Sequence, residues 1–384
     1  MHPRTVLSFA NFFGAAHFFL IVYVITPYLA LFIPESQVGL VVSLGAVITL
    51  SAFPFIPRLV KKHGPRRLAI VLACIQAVSI FTLTLYPSLF FAVTCIALSC
   101  ALSPLIAYQL DLLLEAATTE EGATGRVRTL FLTYGNFALI LAPLITGYIL
   151  DGSEAYERVF LAAALSLTPF ITLLLFEPLP EGEPPHLPKI LATCFCLWSD
   201  PDMRAAILGN GVLQFFFHLA PLYIPLYLHT ALGFSWSDLG WIFAIMLTPF
   251  LFVEYPAGYI ADRWLGDKEL MITGFVITGI AFAGIALITA QTSLWTIAVI
   301  LCVSRIGAAL AEAMIEGHFF RRVSEQDAST ISVFRMMRPV GALIAPLFAS
   351  ALLLTGNYVA FFLVSGALIV AFGVIFTIPL RDVR

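Results

Sequence analysis

Twelve stretches of this chain run to about 20 apolar residues or more, and nothing else in the sequence constrains the fold as tightly. A helix needs about 20 such residues to cross the hydrocarbon core of a bilayer. The runs fall at roughly 5–33, 38–59, 67–86, 89–113, 127–151, 157–177, 204–231, 236–262, 268–290, 294–320, 327–355 and 357–380. With 60% of its 384 residues hydrophobic, 11% charged and a mean hydropathy of +0.97, the chain carries more apolar surface than a soluble core could hide. Lipid must solvate it, and the reading is an all-α membrane protein of 12 transmembrane helices. The first run is too long, and its Met-His-Pro-Arg start too sparsely basic, for a cleaved signal peptide, so it is expected to remain as a span.

The chain also repeats itself. Pro54-Phe-Ile-Pro-Arg-Leu-Val-Lys-Lys-His-Gly-Pro-Arg-Arg-Leu68 can be written without a gap under Pro256-Ala-Gly-Tyr-Ile-Ala-Asp-Arg-Trp-Leu-Gly-Asp-Lys-Glu-Leu270, which aligns Lys61 with Arg263, Gly64 with Gly266 and Arg66 with Lys268. Leu141-Ala-Pro-Leu-Ile-Thr-Gly147 matches Ile344-Ala-Pro-Leu-Phe-Ala-Ser350 at nearly the same offset of about 200 residues, which points to a duplicated half. Gly258-x-x-x-Asp262-Arg263-x-x-Gly266-x-Lys268 resembles the loop between the second and third helices of each half in the major facilitator superfamily of secondary transporters. Arg305-Ile-Gly-Ala-Ala309 is similar to that family's arginine-glycine pattern in the fourth helix of a half, and Gly125-Arg-Val-Arg128 to its fourth-to-fifth loop. The first half departs from the pattern, with Ile56 and Val60 where the loop would carry glycine and aspartate. The resemblance implies two pseudo-symmetric six-helix bundles around a midplane site that rock to give alternating access.

Charge sets the expected orientation. Lys and Arg of the loops and termini fall in the even-numbered loops and at the two ends, with only Arg158 in an odd-numbered loop, so both termini are expected to be cytoplasmic in a plasma (inner) membrane. The proline-rich segment from Glu177 to Asp202 cannot continue a helix and reads as the linker, giving an N-terminal half over 1–177, a cytoplasmic linker over 178–203 and a C-terminal half over 204–384. A net charge of −3 gives no reason to expect a nucleic-acid partner. Cys194-Phe-Cys196 lacks the spacing and the neighbouring histidine of a zinc site, and no phosphate loop, zincin helix or nucleophile elbow occurs. No enzyme activity, metal or cofactor is expected, and the chain is read as a monomer whose partners are the bilayer, a small-molecule substrate and a coupling ion, most simply a proton.

Ionisable groups within hydrocarbon cost ~2.5–3.5 kcal/mol or more, so those that persist face a cavity or a partner. On the tenth run Arg305, Glu312 and Glu316 lie within about 20° of one line along the helix. Arg335 and Arg338 lie on the eleventh run and Glu254 on the eighth. These six form either a neutral structural network or a proton-coupling one. Glu312 and Glu316, one turn apart, repel each other, so one is expected to hold a proton, with relief from Arg335 or Arg338. Asp111 and Glu115 on the fourth run are secondary coupling candidates, or helix-end charges solvated near Arg126 and Arg128. Asn11, His17, Tyr108, Asn210, Gln214 and His218 are the candidates for a substrate cavity, against the alternative that each is a packed hydrogen-bonding group. Gly258, Asp262, Arg263, Gly266 and Lys268 are expected to form a cytoplasmic clasp, in which Asp262 pairs with Arg263, Arg321, Arg322 or the start of the eleventh helix. Pro27, Pro225, Pro143 and Pro346 are expected to kink their helices.

The function read from all this is a secondary active transporter of a small organic solute, coupled to protons. Leu141–Gly147 resembles the glycine-proline pattern of the family's antiporters, with alanine and threonine in place of two glycines, which favours export. Proton- or sodium-coupled import is the alternative, and a non-transporting membrane sensor or scaffold of the same fold is the rival from another class.

Overall fold

The computed structural model describes residues 2–117, 124–180, 190–263, 266–323 and 328–381, and every regular element among them is helical. Among the described residues, eleven helices are long and apolar enough to cross a membrane: Pro3–Ala30, Glu35–His63, Pro65–Leu85, Leu89–Ala116, Leu130–Ile149, Tyr156–Phe176, Pro201–Ala231, Asp267–Leu287, Leu294–Arg322, Thr330–Leu353 and Tyr358–Thr377. The remaining run is divided into Trp236–Leu247, Pro249–Phe252 and Glu254–Arg263. Pro249 supplies no N–H to the ladder, and the chain restarts there as a new short helix. Taken in chain order with the divided run as the eighth, these are the first to twelfth spans.

Proline acts on the spans unevenly. In the first span the helix opens at Tyr23 and Val24, because Pro27 cannot donate to the Tyr23 carbonyl. The seventh passes into a wide π-turn, Leu226–Ala231, directly after Pro225. The expected kinks at Pro143 and Pro346 do not break their helices, since Thr124–Ile149 and Met337–Leu353 run through both prolines. The eleventh span is instead interrupted at Met336, three residues before Pro339. Part of the linker is also helical, at Ile190–Ser199, between Pro188 and Pro201. Asp200 then caps the seventh span, its Oδ1 accepting from the backbone N–H of Asp202 at 2.9 Å.

The chain divides into two compact units, residues 1–187 with 228–244, and residues 188–227 with 245–384. In bilayer there is little hydrophobic force between helices, so each unit must cohere by close packing and interhelical hydrogen bonds. In the first unit the first span packs on the fifth and sixth, and the third on the fourth and sixth. Their core includes Leu7, Ala10, Leu102, Leu113 and Phe170. Residues 228–244 join this unit through a glycine pair: a Cβ on Gly147 would lie 2.7 Å from the Trp236 carbonyl oxygen and 2.9 Å from Gly240 Cα, so only glycine permits the approach. Tyr23 stacks on Phe243 at 5.1 Å in the same region.

In the second unit the ninth span lies between the tenth and twelfth, and the seventh packs on the tenth, eleventh and twelfth. Phe216, Phe282 and Phe362 fill its middle, with ring centroids 5.6 Å apart for the first pair and 5.3 Å for the second. Gly341 lets the eleventh span close on the seventh, since a Cβ there would stand 2.9 Å from Gln214.

Candidate functional site

The second unit gathers polar side chains from three spans around one small pocket. Asn210 and Gln214 come from the seventh span, Glu312 and Glu316 from the tenth, and Arg335 and Arg338 from the eleventh, with Leu213, Ile315 and Phe334 completing the walls. The cavity is about 10 Å³, room for about one water. The seventh-span contributors are locked in place: Gln214 Nε2 donates to Asn210 Oδ1 at 3.2 Å, and Asn210 Nδ2 donates to the Phe334 carbonyl at 3.0 Å. Glu312 is half-buried and Glu316 exposed, as their one-turn separation on the helix edge allows. Arg335 sits directly before the break at Met336, so the helix interruption falls between two residues of the pocket wall, Arg335 and Arg338.

Arg305 does not line the pocket, although it shares the helix of Glu312 and Glu316. It is buried at 3% exposure, two turns from Glu312, with its guanidinium 4.8 Å from the centre of the Phe216 ring, a cation–π contact. His218 is also outside the pocket lining; its Nδ1 donates to the Gln214 carbonyl at 2.7 Å, one turn back on its own helix. The Glu254 side chain lies outside the described residues.

The candidates in the first unit are not brought together in the same way. Asn11 donates to the Phe131 carbonyl at 2.8 Å. This is the same bond that Asn210 makes to Phe334, for Phe131 and Phe334 occupy equivalent positions in the register set by Leu141 and Ile344. His17, expected at a cavity, is instead a buried cross-brace. Ala163 can only accept, so His17 Nδ1 carries the proton and donates to that carbonyl at 2.9 Å, leaving Nε2 to accept from Gln76 at 2.8 Å. Gln76 in turn donates to Ser99 at 2.7 Å, which ties the first, third, fourth and sixth spans through one polar cluster. Tyr108 packs edge-on against Phe53 and beside Ile56 and Val60 at the end of the second span. Asp111 and Glu115 are exposed on the fourth span, and the side chains of Arg126 and Arg128 lie outside the described residues.

The expected clasp falls partly outside the described residues. Asp262 and Arg263 end the helix Glu254–Arg263, with side chains outside the described residues, and Gly258 has open space where a Cβ would point. Gly266 is the residue from which the ninth span starts. Lys268 Nζ donates to the Ile378 carbonyl at 2.5 Å, at the close of the twelfth span. Its repeat mate Arg66 donates to the Leu174 and Leu175 carbonyls, at 2.6 and 2.9 Å, at the close of the sixth. Each cation therefore satisfies the terminal carbonyls of the last helix in its own half, where the helix dipole also favours positive charge.

Arg321 and Arg322, expected to be available to Asp262, are taken by two carboxylates that sequence reasoning passed over. Asp267 accepts from Arg321 and, at 3.2 Å, lies against His318 Nδ1. Asp202 accepts from Arg322 Nη1 at 2.7 Å and from the Arg381 backbone N–H at 2.6 Å, while Arg322 Nη2 donates to the Arg381 carbonyl at 3.0 Å. The ends of the seventh, ninth, tenth and twelfth spans are thus laced at one end of the second unit. The sequence signal was only an acidic residue at the start of each of two spans, which reads equally well as a helix-start charge.

Matched ties at equivalent points of the two halves, with a polar pocket among membrane-crossing helices, fit a polytopic helical membrane protein with an internal repeat. The sequence model of the Major Facilitator Superfamily matches residues 7–238 and again 205–384, and the chain belongs to that family. It is a multi-pass membrane protein and a secondary transporter, not an enzyme. Among solved structures it is similar to the nucleoside transporter NupG, at a TM-score of 0.77 and 14% identity over 98% of each chain. A point mutant of NupG aligns with a TM-score of 0.78 at the same identity and coverage. No curated protein matches the chain.

Proposed function

We propose that this chain couples a proton gradient to the movement of a small polar organic solute by alternating access, and that it exports the solute in exchange for protons. The reading rests on the pocket in the second unit, where two carboxylates one turn apart share walls with two guanidinium groups and two carboxamides. A solute that presents hydrogen-bonding or charged groups fits that lining better than an apolar one. In the proposal Glu316, the exposed member, takes and releases the proton while Glu312 stays held within the protein. Arg335 and Arg338 set how readily Glu316 does so, and any movement of the eleventh span at Met336 changes their distance from it. Both termini and the linker are placed on the cytoplasmic side of the inner membrane, and the chain works as a monomer. NupG carries nucleosides by its own name; at 14% identity the likeness supports the fold, and the solute of this chain is to be found by screening.

Proteoliposomes with an imposed pH gradient and a metabolite and drug panel test the reading. The expected result is gradient-driven movement that Glu316→Gln abolishes while solute binding and gradient-free exchange persist. Retention of pH-driven accumulation by both Glu316→Gln and Glu312→Gln would show that the carboxylates only hold helices together. Binding without flux in the wild-type protein would favour a sensor instead.

A further inference from the structure

An apolar groove of about 450 Å³ lies between the third and fourth spans of the first unit, away from every residue discussed above as a transport candidate. It runs along residues 74–82 of one helix and 90–98 of the other, about 12 Å at 1.5 Å per residue. Its rim is open to the surroundings, with Val78 67% and Phe90 70% exposed, and its floor is closed by the buried Ser79 and Cys95. Of the three hydroxyls on its walls, two donate to backbone, Ser79 to the Cys95 carbonyl at 3.4 Å and Thr82 to the Val78 carbonyl at 2.8 Å, and the third is Thr94. The rest of the lining is aliphatic, aromatic or thiol side chain, which suits an apolar ligand better than a polar one, and the groove's size is that of an ordinary small-molecule site. At its upper end the connection between the two spans carries the exposed Tyr86, whose ring lies 5.6 Å from Phe91. An exposed tyrosine at the end of a membrane-crossing helix belongs at head-group level, with its hydroxyl toward water.

We infer that this groove is a phospholipid site, holding one acyl chain against Val78, Phe90 and the Ser79–Cys95 floor, with the lipid's polar end beside Tyr86. The bilayer is the medium around these two helices, and a groove rather than a ridge on a lipid-facing surface must be filled by hydrocarbon or leave its walls without contact partners. Because Tyr86 and the groove share the end of the spans opposite Arg66 and Lys62, the lipid comes from the leaflet facing away from those basic residues. The site is independent of the solute and of the coupling ion.

The test uses the full-length protein in nanodiscs of phosphatidylethanolamine and phosphatidylglycerol, doped with a phospholipid that carries a diazirine on one acyl chain. After photolysis, labelled peptides are mapped by mass spectrometry. Labelling of the third and fourth spans several-fold above that of other lipid-facing helices is expected. Val78→Trp, which fills the groove, should bring it down to the common level, whereas Val299→Trp, at a comparably exposed site on the tenth span, should leave it unchanged. Should Val78→Trp fail to accumulate, Thr94→Trp obstructs the same groove from the opposite helix. Labelling spread evenly over all spans, or insensitive to both fillings, overturns the inference. Equal labelling of the groove by a diazirine alkane without a head group overturns the assignment to a phospholipid.

Discussion

Breaking the tie between Asp202 and Arg322 should loosen the base of the second unit by a measurable and coupled amount. The Asp202 side chain is 10% exposed and that of Arg322 23%, so the pair lies nearer the buried limit than the surface limit. Removing one partner of a fully buried pair costs about 3–5 kcal/mol and of an exposed pair about 0–1 kcal/mol. The intermediate burial places Asp202→Asn at about 2–3 kcal/mol. Its amide can still accept from the Arg381 N–H, which keeps the value below the buried limit. Arg322→Gln should cost about the same, since it leaves Asp202 with that single backbone donor. Because the two substitutions remove one shared contact, the double variant should lose about 3 kcal/mol, not the sum, leaving a coupling of about 2 kcal/mol. Equilibrium unfolding of the purified protein in mixed SDS micelles, followed by tryptophan fluorescence, gives all three values. Additive losses, with a coupling below about 0.5 kcal/mol, would mean that the ion pair is incidental and that the argument from burial is wrong.

Three further outcomes are expected. Lys268→Met removes the charge that closes the twelfth span while keeping the stem, and should destabilise by about 1 kcal/mol in low salt and less in high salt, as should Arg66→Met at the sixth; a salt-independent loss would rule out the helix-end account. Gly147→Leu should abolish flux while the protein still accumulates in the membrane, because the branched side chain has no space against Gly240; wild-type flux in that variant would show that the close approach is dispensable. A cysteine placed at Gly182 should react with an impermeant maleimide only from the cytoplasmic side, and labelling of intact cells from outside would invert the proposed topology.

How far the sequence led is clearest at Asn11 and Asn210. Both were legible as polar residues in otherwise apolar helices, but their bonds to the Phe131 and Phe334 carbonyls were not, although the register that pairs Leu141 with Ile344 makes those two carbonyls equivalent. Helical spacing likewise placed Glu312 beside Glu316 and Arg335 near Arg338, because those separations are local. His17 was illegible in the same terms: a lone polar residue in a span looks alike whether it meets solute or a carbonyl 146 residues away. Asp202 and Asp267 were missed because their partners are set by where the ends of four helices converge, which no local pattern records. The break at Met336 follows from Pro339, but proline alone did not say which helices would open, since Pro143 and Pro346 sit in helices that run through.

The π-turn at Leu226–Ala231 straddles the point, between Tyr227 and Leu228, at which the chain passes from one compact unit to the other. Removing one residue from an α-helix swings everything beyond it by about 100° and draws it in by about 1.5 Å, which would misdirect every contact downstream. A turn of i→i+5 bonds already contains a residue that an α-helix would not need, so a deletion there tightens the turn instead of propagating. The seventh span can thus change length at this turn without turning Asn210 and Gln214 away from their places. Related chains that differ in the length of this span should carry the insertion or deletion at this turn, next to Pro225.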